Sequence, residues 1–203
     1  MQDGAEADGF RISAWSGGPD EMSTATLISV EEFSAMPRDE AVRYELVEGE
    51  LVPLASGTPR HAWIRDGLIV QFRDYLRVQR SGIVLSELDC RTTGENVRRP
   101  DVSYVSRERW QLVNPSVIPL PFAPDIAIEI LSPSEKAVEV NRKVAEYLAA
   151  GSSEVWVIDA ENSEVFVRSV EDVRVLRAGE AVESRLLPGF SFGVSEGLAG
   201  PVV

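Results

Sequence analysis

An α/β fold with a mixed central sheet is predicted by three observations. Two near-continuous apolar runs, DIAIEIL (Asp125 to Leu131) and EVWVID (Glu154 to Asp159), read as strands buried on both faces. A helical segment ending by Ala150-Gly151 lies between them, and a helix crossing between two buried strands makes a parallel pair at the centre. Beyond them, Ser163 to Arg168 and Asp172 to Leu176 read as outer antiparallel strands.

The other elements follow in order. Residues 1–21 are rich in Gly, Asp and Ala and carry Ser16-Gly17-Gly18-Pro19, which predicts a disordered lead, with residues 22–203 as one domain. Met22 is a plausible alternative start. Ile28 to Ala35 holds a short helix, because Ser29 with Glu32 forms a capping box and Val30 and Phe33 face inward. Tyr44 to Leu54 reads as a hairpin turning at Glu48-Gly49. Residues 60–80 place Ile64, Leu68, Phe72, Tyr75 and Leu76 on one helical face, and Ser81-Gly82 stops the helix. Ile83 to Arg91 and Arg98 to Val105 read as two strands joined by a Thr-Gly-Glu-Asn turn. Residues 106–124, with Pro115, Pro119, Pro121 and Pro124, form a loop. Leu187-Pro188-Gly189-Phe190 opens a terminal turn.

Composition narrows the chemistry. The chain has 203 residues, hydrophobic residues at 44% and charged residues at 26%, so neither a fibrous nor a wholly disordered chain is expected. No apolar run is long enough for a membrane helix, and no apolar leader is present. One Cys (Cys90) and one His (His61) leave no Cys/His zinc set, so any metal is a hard cation on oxygen ligands. A lone cysteine fits a reducing, cytoplasmic location. The net charge of -13 counts against a broad nucleic-acid surface, though not against a small basic groove.

Two carboxylates stand where carboxylates are costly. Glu129 lies inside Ile126 to Leu131, and an unpaired carboxylate buried there costs several kcal/mol, so it needs a metal, a cation or a proton. The competing reading is an edge strand with Glu129 facing water. Asp101 follows Pro100 at a strand entrance, or else is a turn residue. Two carboxylates on neighbouring strands can hold one divalent cation, which activates water and stabilises phosphoryl charge. The helix after Glu129 carries Lys136 and Lys143 on one face, with Tyr147 beside Lys143. If Ser132-Pro133-Ser134-Glu135 caps that helix, Lys136 is nearer Glu129; if residues 132–137 are loop, Lys143 is. The sequence leaves this open. His61 precedes an amphipathic helix and is either a locally bonded helix-start residue or a group supporting the site. Arg73, Arg77 and Arg80, and Arg98 with Arg99, are candidate phosphate contacts; an ordinary solvated helix face is the rival for the first three.

These residues form an ordered set: YELVEGEL (Tyr44 to Leu51), His61, RPDV (Arg99 to Val102), IEILSPS (Ile128 to Ser134), Lys143 with Tyr147, Gly151, EVWVID and LPGF (Leu187 to Phe190). In that order, over about Ile28 to Ser195, they resemble the Uma-type family of putative restriction endonucleases, similar to the PD-(D/E)XK nuclease superfamily. The resemblance implies a restriction-endonuclease-like fold and an Mg2+- or Mn2+-dependent endonuclease that hydrolyses DNA. It implies Asp101 and Glu129 as metal-binding acids, the Ile130 carbonyl as a further ligand, and Glu45 as an N-terminal acid near the metal. It also implies Lys143, with Glu139 four residues before it, as the lysine that assists the attacking water. The lysine expected two places after Glu129 is absent, since that position is Leu131. His61, Arg99 and Tyr147 are then supporting or substrate-contacting residues.

Two rivals remain. The fold can persist as an inert or regulatory binding module, and a homodimer is the expected assembly. A glycosidase acid pair ranks last, because aromatic residues are only 7% of the chain and few flank Asp101 and Glu129.

Overall fold

The computed structural model describes residues 27–37, 42–133 and 135–200. The lead expected over residues 1–21 lies outside them. Helix α1 (Val30–Ala35) has the expected capping box between Ser29 and Glu32 and buries Val30 and Phe33. Strands β1 (Tyr44–Val47) and β2 (Glu50–Pro53) form the expected hairpin. Glu48 and Gly49 both take positive φ, which suits a two-residue turn matched to strand twist.

Helix α2 (Pro59–Gln79) starts with Pro59 after Thr58, whose side chain accepts from the His61 amide. It buries Ile64, Leu68, Ile69, Phe72 and Leu76, each worth about 1.5–3 kcal/mol when fully taken from water. Its left-handed C-cap is Arg80, not the expected glycine. Gly82 serves a different need. It lies against the facing strand so closely that an added Cβ would sit 2.3 Å from the Val105 carbonyl oxygen. Gly82→Ala is therefore expected to cost about 1–3 kcal/mol, read as a lower urea midpoint with an unchanged slope.

Both long strands expected next are broken. The first divides into β3 (Gly82–Ser86) and β4 (Cys90–Arg91), because Glu87 turns left-handed at φ 48°. The second divides into β5 (Val97–Arg98) and β6 (Val102–Ser106), where Pro100 has no N–H to continue a ladder. The following segment opens with a short helix, α3 (Arg107–Trp110), before the proline-rich loop. Then come β7 (Ile126–Ile130), α4 (Ala137–Ala149), β8 (Glu154–Asp159), β9 (Glu164–Arg168) and β10 (Val173–Arg177). The chain closes with β11 (Ala181–Glu183), β12 (Ser191–Gly193) and α5 (Val194–Leu198).

Among the described residues, one sheet has the order β10-β9-β8-β7-β6-β3 and a smaller one β2-β1-β5-β4. β7 and β8 are the predicted parallel pair, and the remaining pairs of the larger sheet are antiparallel. Side-chain alternation along β7 then sorts the two faces. Ile126, Ile128 and Ile130 pack with α2, with Trp156 of β8, and with the terminal segment, including Phe190 and Phe192. Ala127 packs on the other face with Val140, Val144 and Tyr147 of α4. Glu129 shares the face of Ala127, so it points toward α4. No helix among the described residues is long and apolar enough to cross a membrane.

Candidate active site

The antiparallel pairing of β6 with β7 puts the start of one beside the end of the other. Asp101, just before β6, therefore meets the C-terminal end of β7. Its Oδ2 accepts a hydrogen bond from the Ile130 amide at 2.7 Å and lies 3.1 Å from His61 Nε2. His61 comes from the first turn of α2, and its Nδ1 is buried without a hydrogen-bond partner. The Asp101 hydrogen bond raises the His61 pKa above its ordinary value, although burial pulls the other way. Its Nε2 thus carries a proton toward the carboxylate in either charge state.

Glu129 is 5% exposed, which rejects the edge-strand reading. Its Oε1 accepts from the Tyr147 hydroxyl at 2.7 Å, and its Oε2 lies 3.3 Å from Lys143 Nζ. Lys143 also lies 3.4 Å from Glu45 Oε1 and 3.9 Å from Glu135 Oε1. The question of Lys136 against Lys143 is answered by where α4 begins. Ser132 and Glu135 do make capping-type hydrogen bonds, yet the helix starts only at Ala137. Lys136 becomes its exposed N-cap, and Lys143 reaches Glu129. Glu139 stays exposed and pairs with Arg142, away from this cluster.

Glu45 enters from the smaller sheet and is 2% exposed. Its Oε1 accepts from the Arg99 amide at 3.0 Å, and its Oε2 from Arg98 Nη1 at 2.9 Å. The Arg99 side chain donates from Nε to Asp89 at 2.6 Å. Arg98 departs from expectation. It is 2% exposed and gripped by Glu45 and Glu146, so it offers no free face to a phosphate. Arg73, Arg77 and Arg80 are exposed on α2, and Arg77 pairs with Asp74.

The charges here do not balance. Burial pushes Glu129 up to about 8, reinforced by the charges of Asp101 and Glu45 and opposed by Lys143 and the Tyr147 hydrogen bond. Burial alone would pull Lys143 down, yet Glu129, Glu45, Glu135 and Asp101 together hold it above the ordinary lysine value. A simple ion pair lowers its acid. Here the acid and the base both rise, because several carboxylates share one ammonium. The cluster retains room for positive charge, as a proton or as a cation.

A family described as putative restriction endonucleases, Uma2, matches residues 30–195. The chain belongs to the Uma2 family. A solved structure from Anabaena variabilis, described as a putative nuclease, is similar to it: TM-score 0.74, 24% identity, covering 85% of this chain and 99% of that one. At that identity the likeness shows the fold, and the restriction-endonuclease-like architecture expected from the sequence is the one found. No curated protein matches.

Within this Uma2 member the structure brings Glu45, His61, Asp101, Glu129, Ile130, Lys143 and Tyr147 to one end of β7. Sequence reasoning missed Glu135, Asp89, Glu146 and the burial of Arg98. The partners of Arg98 lie at residues 45 and 146, so no local pattern marks its burial.

The donor set suits a hard divalent cation, since it is all oxygen and short of positive charge. In the arrangement described, Lys143, Tyr147 and His61 hold the acids, and no three acidic, His or Cys side chains among the described residues are gathered as a ready ligand group. Asp101 and Glu129 are the acids that would hold such a cation, which would supply the positive charge the cluster lacks.

Proposed function

We propose that this chain is an Mg2+- or Mn2+-dependent endonuclease that hydrolyses DNA phosphodiester bonds. The observation that carries the proposal is Glu129: a carboxylate buried in a central strand, with Asp101 and Glu45 beside it and one lysine among them. Asp101 and Glu129 would hold the cation, with the Ile130 carbonyl and Glu45 as further oxygen donors. When bound, the cation supplies Lewis acidity toward the phosphate and a more acidic water.

The chain's own groups do the rest. His61 and the Ile130 amide both fix Asp101 through one oxygen, Oδ2. Tyr147 fixes Glu129 through Oε1. Lys143 directs its N–H donors at Glu129 and Glu45, where it orients the attacking water and balances the charge that develops on the phosphate. Arg99, tied to Asp89, borders Glu45 and offers a basic side chain to a DNA strand. We extend the proposal to a homodimer, which light scattering would read as twice 22.3 kDa.

Plasmid nicking in Mg2+, Mn2+ or EDTA, beside Glu129→Ala, tests it. Metal-dependent cleavage that is lost in the variant is the expected result. Cleavage that survives the substitution would remove Glu129 from the reaction. Binding without cleavage under all conditions would favour the inert module, a reading supported by the contacts that Lys143, Tyr147 and His61 already make with the acids. A salt titration separates that outcome from no binding, because phosphate contacts give log affinity a steep negative slope against log salt.

A further inference from the structure

We propose that Arg98 is a positioning residue that sets the aim of Lys143, gripping Glu45 on one sheet and, through Glu146, the rotation of helix α4. The inference rests on the proposed role of Lys143, but its geometry stands independently of that role.

Arg98 uses its guanidinium in two directions. Nε and Nη2 donate to Glu146 Oε2 and Oε1 at 2.7 and 2.6 Å, a bidentate fork, while Nη1 donates to Glu45 Oε2 at 2.9 Å. Only a planar group with fixed donor directions makes both contacts at once. Thr92 adds a hydrogen bond to Glu146 Oε2 at 3.3 Å.

Glu146 is the lever. It lies three residues after Lys143, and Tyr147 lies four after Lys143, so Glu146 and Tyr147 flank Lys143 within an arc of about 100° on α4. A helix whose Glu146 is held bidentately cannot roll without moving Lys143 and Tyr147 off Glu129. Turning α4 by one residue's angle, about 100°, would swing the ammonium out of the cluster. The second grip matters as much. Glu45 competes with Glu129 for Lys143, at 3.4 and 3.3 Å. Arg98 supplies Glu45 with its own cation, which leaves Lys143 free to serve Glu129.

Electrostatics agree with this geometry. Glu146 is held below the ordinary carboxylate range, since the Arg98 contacts outweigh the upward push of burial. Arg98 is raised above its ordinary value, because Glu146 and Glu45 outweigh the burial that would lower it.

The experiment uses a feature of composition: Lys136 and Lys143 are the chain's only lysines. In full-length protein labelled with 13C-lysine, the lysine side-chain NMR spectrum holds two sets of signals, and Lys136→Arg assigns them. Lys136 is exposed and gives a free-chain signal; Lys143 is buried and is expected to be shifted and broadened. Two metal-free variants are compared with the wild type, Glu146→Gln and the apolar pair Arg98→Met with Glu146→Leu. The pair removes the whole Arg98–Glu146 ion pair, which is tolerated far better than removing one partner, and Glu45 keeps the Arg99 amide and Lys143 as partners.

With near-UV circular dichroism unchanged, the Lys143 signal should move most of the way to the Lys136 position in the double variant, and part of the way in Glu146→Gln. A Lys143 signal unchanged in both folded variants would overturn the proposal and leave Arg98 a scaffold residue. Turnover is read separately: kcat should fall at least tenfold while KM stays within about twofold. A signal that moves in a protein with no nuclease activity at all would uphold Arg98 as the residue aiming Lys143, and would count against the nuclease reading alone.

Discussion

Replacing Lys143 by Met should lower both turnover and stability. Lys143 is 8% exposed and faces Glu129, Glu45 and Glu135, so its removal strands buried carboxylates. Breaking a buried pair by deleting one partner costs about 3–5 kcal/mol. In a chain of this size, that is a melting point lower by roughly 6–20 °C at pH 8 and above, where Glu129 is ionised. The deficit should shrink as the pH is lowered, because Glu129 takes up a proton and no longer needs the ammonium. Cleavage should fall by about 10²–10⁴-fold, the usual range for a group that handles protons in the transition state. Calorimetry at pH 5 and pH 8 checks the first part, and single-turnover kinetics the second. A variant as stable as the wild type at both pH values would show that the acids do not depend on this lysine.

Metal-free protein should lose stability as the pH rises from about 5 to about 8.5. Burial raises Glu129 from the model-peptide range to about 8 in the folded state. Between those two values the folded chain binds a proton that the unfolded chain has released. A group raised in this way contributes stability that is fully present below its unfolded pKa and is lost as the pH climbs through its folded pKa. His61 works in the same direction, since its hydrogen bond to Asp101 raises it above 6.5. Glu146 and Glu87 are lowered instead, and the stability they contribute is lost only on acidification, mostly below this window. The net effect is on the order of a few kcal/mol across the window. Melting temperatures in EDTA should therefore slope downward with pH. Added Mn2+ should flatten the slope most at the alkaline end, where Glu129 is ready to give up its proton. A flat profile in EDTA would show that Glu129 is ionised at neutral pH and that Lys143 alone satisfies it.

Much of this was legible in the sequence, for identifiable reasons. The runs around Glu129 and Trp156 read as central strands, with an edge position as the rival that the burial of Glu129 rejects, and the helix between them pointed to the parallel pair that is found. Glu48-Gly49 could only be a tight turn. Glu129 was conspicuous because one charge interrupts a fully apolar strand. The lysine was harder to choose, because Ser132 and Glu135 do form the hydrogen bonds of a helix cap while the helix itself begins five residues after Ser132. The local signal was real, but it capped a loop. The broken strands were missed because the breaks depend on a left-handed Glu87 and on Pro100, and an apolar pattern alone shows neither. Arg98 was misread most clearly. In VRRPD an arginine looks like surface, and the partners that bury it lie at residues 45 and 146. No local pattern reveals a contact made across such separations. The terminal β11–β12 pair and α5 escaped too, although Phe190 and Phe192 complete the aromatic core under α2.

The placement of Glu45 on the smaller sheet has a consequence for synthesis. The site draws on residue 45 from the beginning of the described chain and on residue 147 from well beyond its middle, and its parts come from two separately paired sheets and two helices. Contacts so distant along the chain form late, after the entropy of closing long loops has been overcome. A nascent chain that has emerged only as far as β7 has Glu45, Asp101 and Glu129 but neither Lys143 nor the Arg98–Glu146 grip. If the proposed chemistry holds, that order of completion means the proposed centre is assembled only after α4 has been made.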